Sequence, residues 1–175
     1  MPNRQLLLLR HAKAVPEEFG MDDFDRPLAE RGRDNADAMG RYIAAQGLIP
    51  DLVLYSPARR TVETWDLAAR HLPGVEARAL QDLHNFGTGS ALLDVIKAEG
   101  GAARRLMLVT HNPATERLAQ RLSGEGEKSL LRRMAEGFPT CGLAVIDFRS
   151  GGWEDTAPGT GTLHSFTRPR DLAEA

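Results

Sequence analysis

Two histidines follow buried hydrophobic segments of the sequence, and an arginine precedes one of them. Arg10 and His11 come directly after four leucines, and His111 follows a second apolar run. Short apolar runs of this kind predict buried β-strands, here over 5–9 and 106–110. Because the carboxyl ends of parallel strands form the crevice in which open α/β sheets bind ligands, both histidines are expected at one edge of a sheet.

A third predicted strand, over 52–55, leads into a helix that carries a further arginine. Ser56 and Pro57 are typical of the N-cap and the first position of a helix, and Arg60 lies one turn further on. A helix N-terminus presents free N–H groups and the positive end of the helix dipole. Two histidines, two arginines and this helix end together predict a site for an anion, with phosphate as the commonest candidate.

Each of these residues also has a simpler interpretation. A single histidine at a strand end is usually solvated or hydrogen-bonded, and a lone arginine in a first helical turn is usually a surface residue. Two histidines are a common start for a zinc site, but Asp51, Asp82 and Cys141 lack the spacing to complete one. Neighbouring arginines also repel a dication. The combination favours an anion site without a metal or another cofactor.

The composition is that of an ordinary globular chain. With 175 residues, 42% of them hydrophobic and 26% charged, we expect a single domain over 1–175. The net charge of −2 gives no indication of nucleic-acid or membrane binding. The single cysteine, Cys141, excludes an internal disulfide, and the apolar run Leu6–Leu9 is too short for a signal peptide. We therefore expect a cytoplasmic protein.

Strand and helix patterns alternate along most of the chain. Helical patterns occur within 28–48, 56–72, 90–98 and 113–122, between and after the three predicted strands. This alternation predicts an α/β fold with a mostly parallel sheet covered on both faces. In the last third, 143–148 and 163–167 are predicted as antiparallel strands, and the polar segment 123–128 as a loop.

Several segments resemble the histidine phosphatase superfamily, and in particular its small phosphohistidine phosphatase branch, often called SixA-type. They are LLLLRHAKA, DFDRPLAERGRDNADAMGRYI, PDLVLYSPARRTVETW, LMLVTHNPATERLA and FPTCGLAVIDF. The resemblance extends from Gln5 to about residue 170. It implies a three-layer α/β/α sandwich whose central sheet is mostly parallel, with one antiparallel edge strand.

The resemblance also implies a role for each site residue. His11 would be the nucleophile that takes the phosphoryl group, and Arg10, Arg60 and His111 would hold the phosphate oxygens. A neutral imidazole is required for attack on phosphorus, and cationic neighbours lower the histidine pKa and so favour the neutral form. Guanidinium groups match the geometry of phosphate oxygens better than ammonium groups do.

Two further arginines need to be distinguished from this set. Arg59 is adjacent to Arg60, and neighbours in a helix point about 100° apart, so only one of them can face the pocket. The match to the serine-plus-four pattern, counted from Ser56, selects Arg60. Arg26, in the segment DRPL, is either a contact at the rim of the pocket or a solvated loop charge.

The least certain role is that of a general acid for the leaving group. The segment ALQDLHNFGTG offers only Asp82 and His84, both of which are expected to contact phosphate or substrate. A phosphohistidine leaves as an imidazole whose distal nitrogen can carry a proton, so its P–N bond requires less acid assistance than the P–O bond of a phosphoester.

The expected function is therefore hydrolysis of phosphohistidine on a protein partner, such as a phosphotransfer domain, through phospho-His11. The alternatives are a phosphatase of small phosphomonoesters and a non-catalytic phosphate-binding module.

Overall fold

The computed structural model describes residues 4–18 and 20–173, and this part of the chain contains seven strands and six α-helices. The strands are β1 (Arg4–Arg10), β2 (Leu52–Tyr55), β3 (Glu76–Ala79), β4 (Arg105–Thr110), β5 (Ser123–Gly126), β6 (Leu143–Phe148) and β7 (Gly161–Thr167). The helices are α1 (Glu30–Ala45), α2 (Arg59–Ala69), α3 (Ser90–Glu99), α4 (Ala114–Leu122), α5 (Lys128–Glu136) and α6 (Pro169–Ala173). None of the helices in the described residues is long and apolar enough to cross a membrane.

All seven strands belong to one sheet, in the order β3-β2-β4-β1-β6-β7-β5. Strands β1 to β4 run parallel to one another, and β6 runs antiparallel to both β1 and β7. The α/β class with a mostly parallel sheet is thereby confirmed. One antiparallel strand was expected at the edge of the sheet. The antiparallel strand is β6, and it lies inside the sheet because β7 pairs with its outer side and β5 then pairs with β7.

The four leucines of β1 explain how the sheet is covered. Leu6 and Leu8 belong to a hydrophobic cluster formed with α3 and α4, whereas Leu7 and Leu9 belong to a second cluster formed with α1 and α2. Successive strand residues point to opposite faces, so a strand buried on both faces needs an unbroken apolar run. The two clusters, one on each face, give the three-layer α/β/α arrangement.

Two local predictions differ from the structure, and one strand, β3, was not predicted. The polar segment 123–128 forms β5 and the start of α5 rather than a loop, and β3 is a short strand that is half exposed. Helix α2 begins at Arg59 with Ala58 at the N-cap, not at Pro57 after Ser56. The Ser56 side chain is instead bonded to His111, at 2.7 Å, which is a tertiary contact that no local pattern reports.

Candidate active site

The carboxyl ends of three adjacent strands bring the predicted residues together. Strand β4 lies between β1 and β2 and is parallel to both, with Arg10 opposite Thr110 and Tyr55 opposite Val109. The residues that follow these strand ends therefore meet at one edge of the sheet. The rings of His11 and His111 have centroids 5.2 Å apart. The expected convergence of the two histidines is confirmed.

His11 is buried and held in one tautomer by the backbone. Its Nδ1 atom lies 2.7 Å from the carbonyl oxygen of Ala12, so Nδ1 carries the proton and donates it. Nε2 then keeps its lone pair. Burial, together with the positive charges of Arg60 and Arg10, lowers the pKa of His11 to about 3, although the Ala12 hydrogen bond acts in the opposite direction. The ring is neutral at pH 7, as a nucleophile must be.

His111 is fully buried beside it and is oriented by a serine hydroxyl. Its Nε2 atom lies 2.7 Å from Oγ of Ser56, and its Nδ1 atom has no hydrogen-bond partner among the described residues. Burial, together with the positive charge of Arg60, lowers the pKa of His111 to about 2. With the Ser56 hydroxyl donating to Nε2, the Nδ1–H group is available to a bound anion.

The two arginines are anchored through part of each guanidinium. Arg60 donates from Nη1 to the carbonyl oxygen of Asp23, at 2.9 Å, and from Nη2 to the carboxylate of Asp23, at 3.2 Å. Arg10 donates from Nη1 to the carbonyl oxygen of Phe138, at 2.9 Å. These contacts fix both planar groups beside the histidines and leave other N–H groups of each guanidinium unused.

Unpaired buried polar atoms concentrate at this edge of the sheet. Among the described residues, four of the seven such atoms are Nε of Arg10, Nε of Arg60, Nε2 of His84 and Nδ1 of His111. A buried donor without an acceptor costs free energy, so a cluster of donors indicates a ligand that supplies acceptors. The donor set is that of an oxyanion site, and phosphate oxygens match it.

Asp23, which the sequence analysis did not single out, connects Arg26 to this cluster. Arg26 donates to the Asp23 carboxylate at 2.8 Å and to the carbonyl oxygen of Val15 at 2.8 Å. Burial raises the pKa of Asp23, but the hydrogen bond from Arg26 and the charge of Arg60 outweigh it and leave the pKa below its usual value. Arg26 thus lies at the rim and acts on Arg60 through an ionised Asp23. The sequence signal for this ion pair was the separation of Asp23 and Arg26 by three residues.

The structure places Asp82 and His84, the two candidate residues of the segment after β3, differently relative to the site. The His84 ring lies 5.2 Å from that of His111 and also contacts Phe24 and Phe86, with centroids 5.3 and 5.1 Å away. Asp82 is exposed and lines a groove against α3. His84 also lines this groove but lies beside His111 at the mouth of the site, whereas no hydrogen bond or ion pair joins the Asp82 side chain to His11 or His111 in the part of the chain that the structure describes.

Backbone contacts from distant segments hold the loop that carries His11. Oγ of Thr64 accepts the N–H of Ala12 at 2.9 Å. The N–H of Cys141 lies 3.1 Å from the carbonyl oxygen of Arg10 and 2.9 Å from that of His11, with Cys141 in the left-handed region at φ 59. Neither residue has a local sequence signal for this role.

No group of three or more histidine, cysteine or acidic side chains suited to a metal ion occurs in the residues described.

The sequence comparisons agree with this geometry. The model for the histidine phosphatase superfamily (branch 1) matches residues 6–91. An uncharacterized protein of Mycobacterium tuberculosis H37Rv, Rv1276c, is 34% identical over 165 residues, which cover 93% of this chain and 100% of that protein. The chain belongs to the histidine phosphatase superfamily.

The solved structures extend the comparison to the whole fold. A candidate phosphohistidine phosphatase SixA from Agrobacterium tumefaciens superposes with a TM-score of 0.80 at 32% identity, covering 97% of this chain and 99% of that one. The protein histidine phosphatase SixA in complex with tungstate gives a TM-score of 0.76 at 22% identity, over 96% and 99% of the two chains, and shows the shared fold. The mouse mitochondrial serine/threonine-protein phosphatase PGAM5 is 36% identical over 84 residues, 48% of this chain and 28% of that protein.

Proposed function

We propose that this protein is a phosphatase that removes the phosphoryl group of phosphohistidine on a protein, through a covalent phosphohistidine on Nε2 of His11. The observation that carries the proposal is the 2.7 Å contact of His11 Nδ1 with the Ala12 carbonyl, in a pocket where the ring is neutral. This contact leaves Nε2 as the only nucleophilic nitrogen of the ring.

In the first step, Nε2 of His11 attacks phosphorus in line with the substrate nitrogen. The new P–N bond forms as the P–N bond to the substrate imidazole breaks, and that imidazole leaves with a proton on its distal nitrogen. Arg10, Arg60 and Nδ1–H of His111 would balance the charge on the three equatorial oxygens. Their anchoring by Phe138, Asp23 and Ser56 keeps these donors in place before the reaction.

In the second step, water attacks the phosphorus of phospho-His11. The P–N bond to His11 breaks, the phosphoryl group leaves as dihydrogen phosphate with both protons of the water, and Nε2 regains its lone pair for the next cycle. The same three donors would stabilise this transition state, because it carries the same charge on the same oxygens. No step in this sequence uses a metal or another cofactor.

The ionisation of the pocket supports a phosphohistidine substrate over a phosphoester. An alkoxide leaving group needs a proton from an acid, and the carboxyl group nearest Arg60 is Asp23, whose lowered pKa makes it a poor proton donor. An imidazole leaving group needs less assistance. The similarity to SixA proteins over nearly the whole chain supports the same substrate class.

The proposal also includes the extent of the catalytic domain and the cellular compartment of the protein. All strands of the described residues join one sheet, which supports one catalytic domain over 1–175. The lone cysteine is buried and free, which is compatible with the reducing cytoplasm that we propose as its compartment.

The test is a comparison of substrates with the purified protein. Phosphate release is measured from a phosphohistidine peptide and from a panel of phosphomonoesters, each with and without EDTA. We expect the highest kcat/KM on the phosphohistidine peptide and no effect of EDTA. Faster turnover of the esters would identify a phosphatase of small metabolites, and EDTA inactivation reversed by zinc would identify a metal enzyme. Vanadate binding without turnover of any substrate would identify a binding module.

A further inference from the structure

A cleft of about 760 Å³ lies beside the proposed active site rather than within it. Its walls come from the loop after β1, the first turns of α1, the end of α5 with the loop that follows, and the start of α6. The charged side chains that line it are Lys13, Arg31, Arg133, Glu136, Arg168 and Arg170. Five cations thus face one acid, in a chain whose net charge is −2.

Part of this positive charge has no partner among the residues that the structure describes. Arg168 pairs with Asp171 at 2.8 Å, and Nη2 of Arg133 donates to the carbonyl oxygen of Phe166 at 2.7 Å. Within residues 4–18 and 20–173, no ion pair or side-chain hydrogen bond involves Lys13, Arg31 or Arg170. All three are exposed. Like charges gathered without counterions repel one another, so the arrangement favours an anionic occupant.

The position of Arg31 adds to this charge instead of reducing it. Arg31 lies in the first turn of the 16-residue helix α1, where the helix dipole already presents positive charge. A cation at that position is electrostatically unfavourable for the isolated helix. An anion in the cleft would interact favourably with both the side chain and the helix end.

The cleft and the proposed active site share structural elements. Lys13 is two residues from His11, so their Cα atoms are at most about 7.6 Å apart. The carbonyl oxygen of Phe138, which lines the cleft, accepts hydrogen bonds from Arg10 at 2.9 Å and from Asn112 at 3.0 Å. A substrate whose phosphohistidine is bound at His11 can therefore extend into the cleft without leaving the active site.

The spread of the cations indicates the kind of occupant. A single phosphate is bound by donors that converge on one point, whereas these cations come from separate elements along an open cleft. Several carboxylates spaced along a polypeptide match such a distribution. We infer that this cleft binds an acidic segment of the phosphorylated protein substrate beside the phosphohistidine, an inference that rests on the proposed function.

The test uses two phosphohistidine peptides of equal length that differ only in the residues beside the phosphohistidine, five glutamates in one and five glutamines in the other. We expect the protein to favour the glutamate peptide in kcat/KM by about tenfold at low ionic strength, and to lose this preference at about 1 M salt, where the Debye length is about 3 Å. The double variant Arg31→Glu/Arg170→Glu should abolish the preference and leave turnover of the glutamine peptide unchanged.

Arg104→Glu is the matched control. Arg104 is also exposed, but it precedes the first residue of β4, about 20 Å along the strand from His111. This variant should keep the preference for glutamate. Equal rates on both peptides, or an equal loss of rate on both in the double variant, would overturn the inference while leaving the proposed function intact.

A binding measurement separates the two proposals completely. The unphosphorylated glutamate peptide, labelled with an uncharged dye, is titrated with protein and followed by fluorescence anisotropy. We expect its affinity to fall at least tenfold in the double variant and to stay unchanged in Arg104→Glu. If neither phosphopeptide is hydrolysed, the proposed function fails, and this titration still decides whether the cleft binds acidic peptide. Glutamate and glutamine peptides of equal affinity would contradict it.

Discussion

Nδ1 of His11 donates to the carbonyl oxygen of the next residue, Ala12, across 2.7 Å. The side chain that is proposed to act as the nucleophile is thus oriented by its own backbone, and that backbone is fixed in turn by Thr64, whose Oγ accepts the N–H of Ala12. Ala12 itself is fully buried. Orientation of the ring therefore requires no carboxylate partner, which is consistent with a nucleophile that stays neutral.

Arg60 and its neighbour Arg59 should differ sharply in their importance. The Arg60 side chain is 3% exposed and faces the histidines, whereas that of Arg59 is 57% exposed and pairs with Glu63. We expect Arg60→Ala to lower kcat about 10²–10³-fold, as for loss of one transition-state donor, and Arg59→Ala to leave it nearly unchanged. Steady-state kinetics on a phosphohistidine peptide measures both. The reverse order would mean that Arg59 supplies the phosphate contact.

Ser56 is expected to act only through His111. Removing one hydrogen bond of this kind costs roughly 1 kcal/mol, so Ser56→Ala should lower kcat/KM about 5–10-fold. His111→Ala should cost more, because it removes the group that would touch the phosphate. The decisive measurement is the double variant. If Ser56 positions His111, then Ser56→Ala should have no further effect in the His111→Ala background. Additive losses would show that Ser56 contributes independently.

The two buried histidines should make folding stability depend on pH. In the unfolded chain each takes up a proton near pH 6.5, whereas burial lowers the folded-state pKa of His11 to about 3 and that of His111 to about 2. The unfolded state then binds more protons between these values, so the free energy of unfolding falls as pH is lowered through 6.5. From pH 7 to 5 each histidine should contribute a loss of up to about 2 kcal/mol.

Urea unfolding at pH 7, 6 and 5 measures this dependence, with His11→Asn as the comparison because asparagine does not titrate. We expect the variant to lose about half of the slope. An unchanged slope would mean that His11 is not held neutral by burial.

Gly32 is predicted to be required for the position of the loop after His11. A β-carbon at Gly32 would collide with the backbone carbonyl oxygen of Lys13, against which α1 packs. Gly32→Ala should therefore lower both the thermal midpoint and kcat/KM, at a cost of about 1–3 kcal/mol in stability. Gly74→Ala is the control, since Gly74 has open space around it and only its φ of +77 disfavours a side chain. That variant should lose stability alone. Full activity in Gly32→Ala would contradict the link between helix packing and the site.

The sequence was most informative where burial is continuous. Strands β1, β2 and β4 are apolar on both faces, and their parallel order predicts that the residues following them meet, as His11 and His111 do. Strand β5 was missed because Ser123–Gly126 is a polar, partly exposed edge strand without periodicity. The start of α2 was misplaced because Oγ of Ser56 accepts the N–H of Ala58 in a turn before the helix and also contacts His111.

Contacts between distant segments account for what the sequence could not reveal. Asp23 reaches Arg60, Thr64 reaches Ala12, and the Phe138 carbonyl reaches Arg10, and none of these pairs is close in the chain. Such pairs are set by how the segment before α1, helix α2 and the loop after α5 pack on the sheet. Residue type and spacing therefore predict the groups that could bind phosphate, and tertiary packing decides how each group is oriented.

The most direct test of the account is to identify the residue that carries the phosphoryl group during turnover. The protein is mixed with a phosphohistidine substrate labelled at phosphorus, quenched rapidly without acid, digested and analysed by mass spectrometry. We predict an acid-labile, base-stable adduct on His11, and a His11→Ala variant that loses adduct and turnover together while still binding vanadate. An adduct on His111, or brisk turnover by His11→Ala, would contradict the assignment of His11 as the nucleophile.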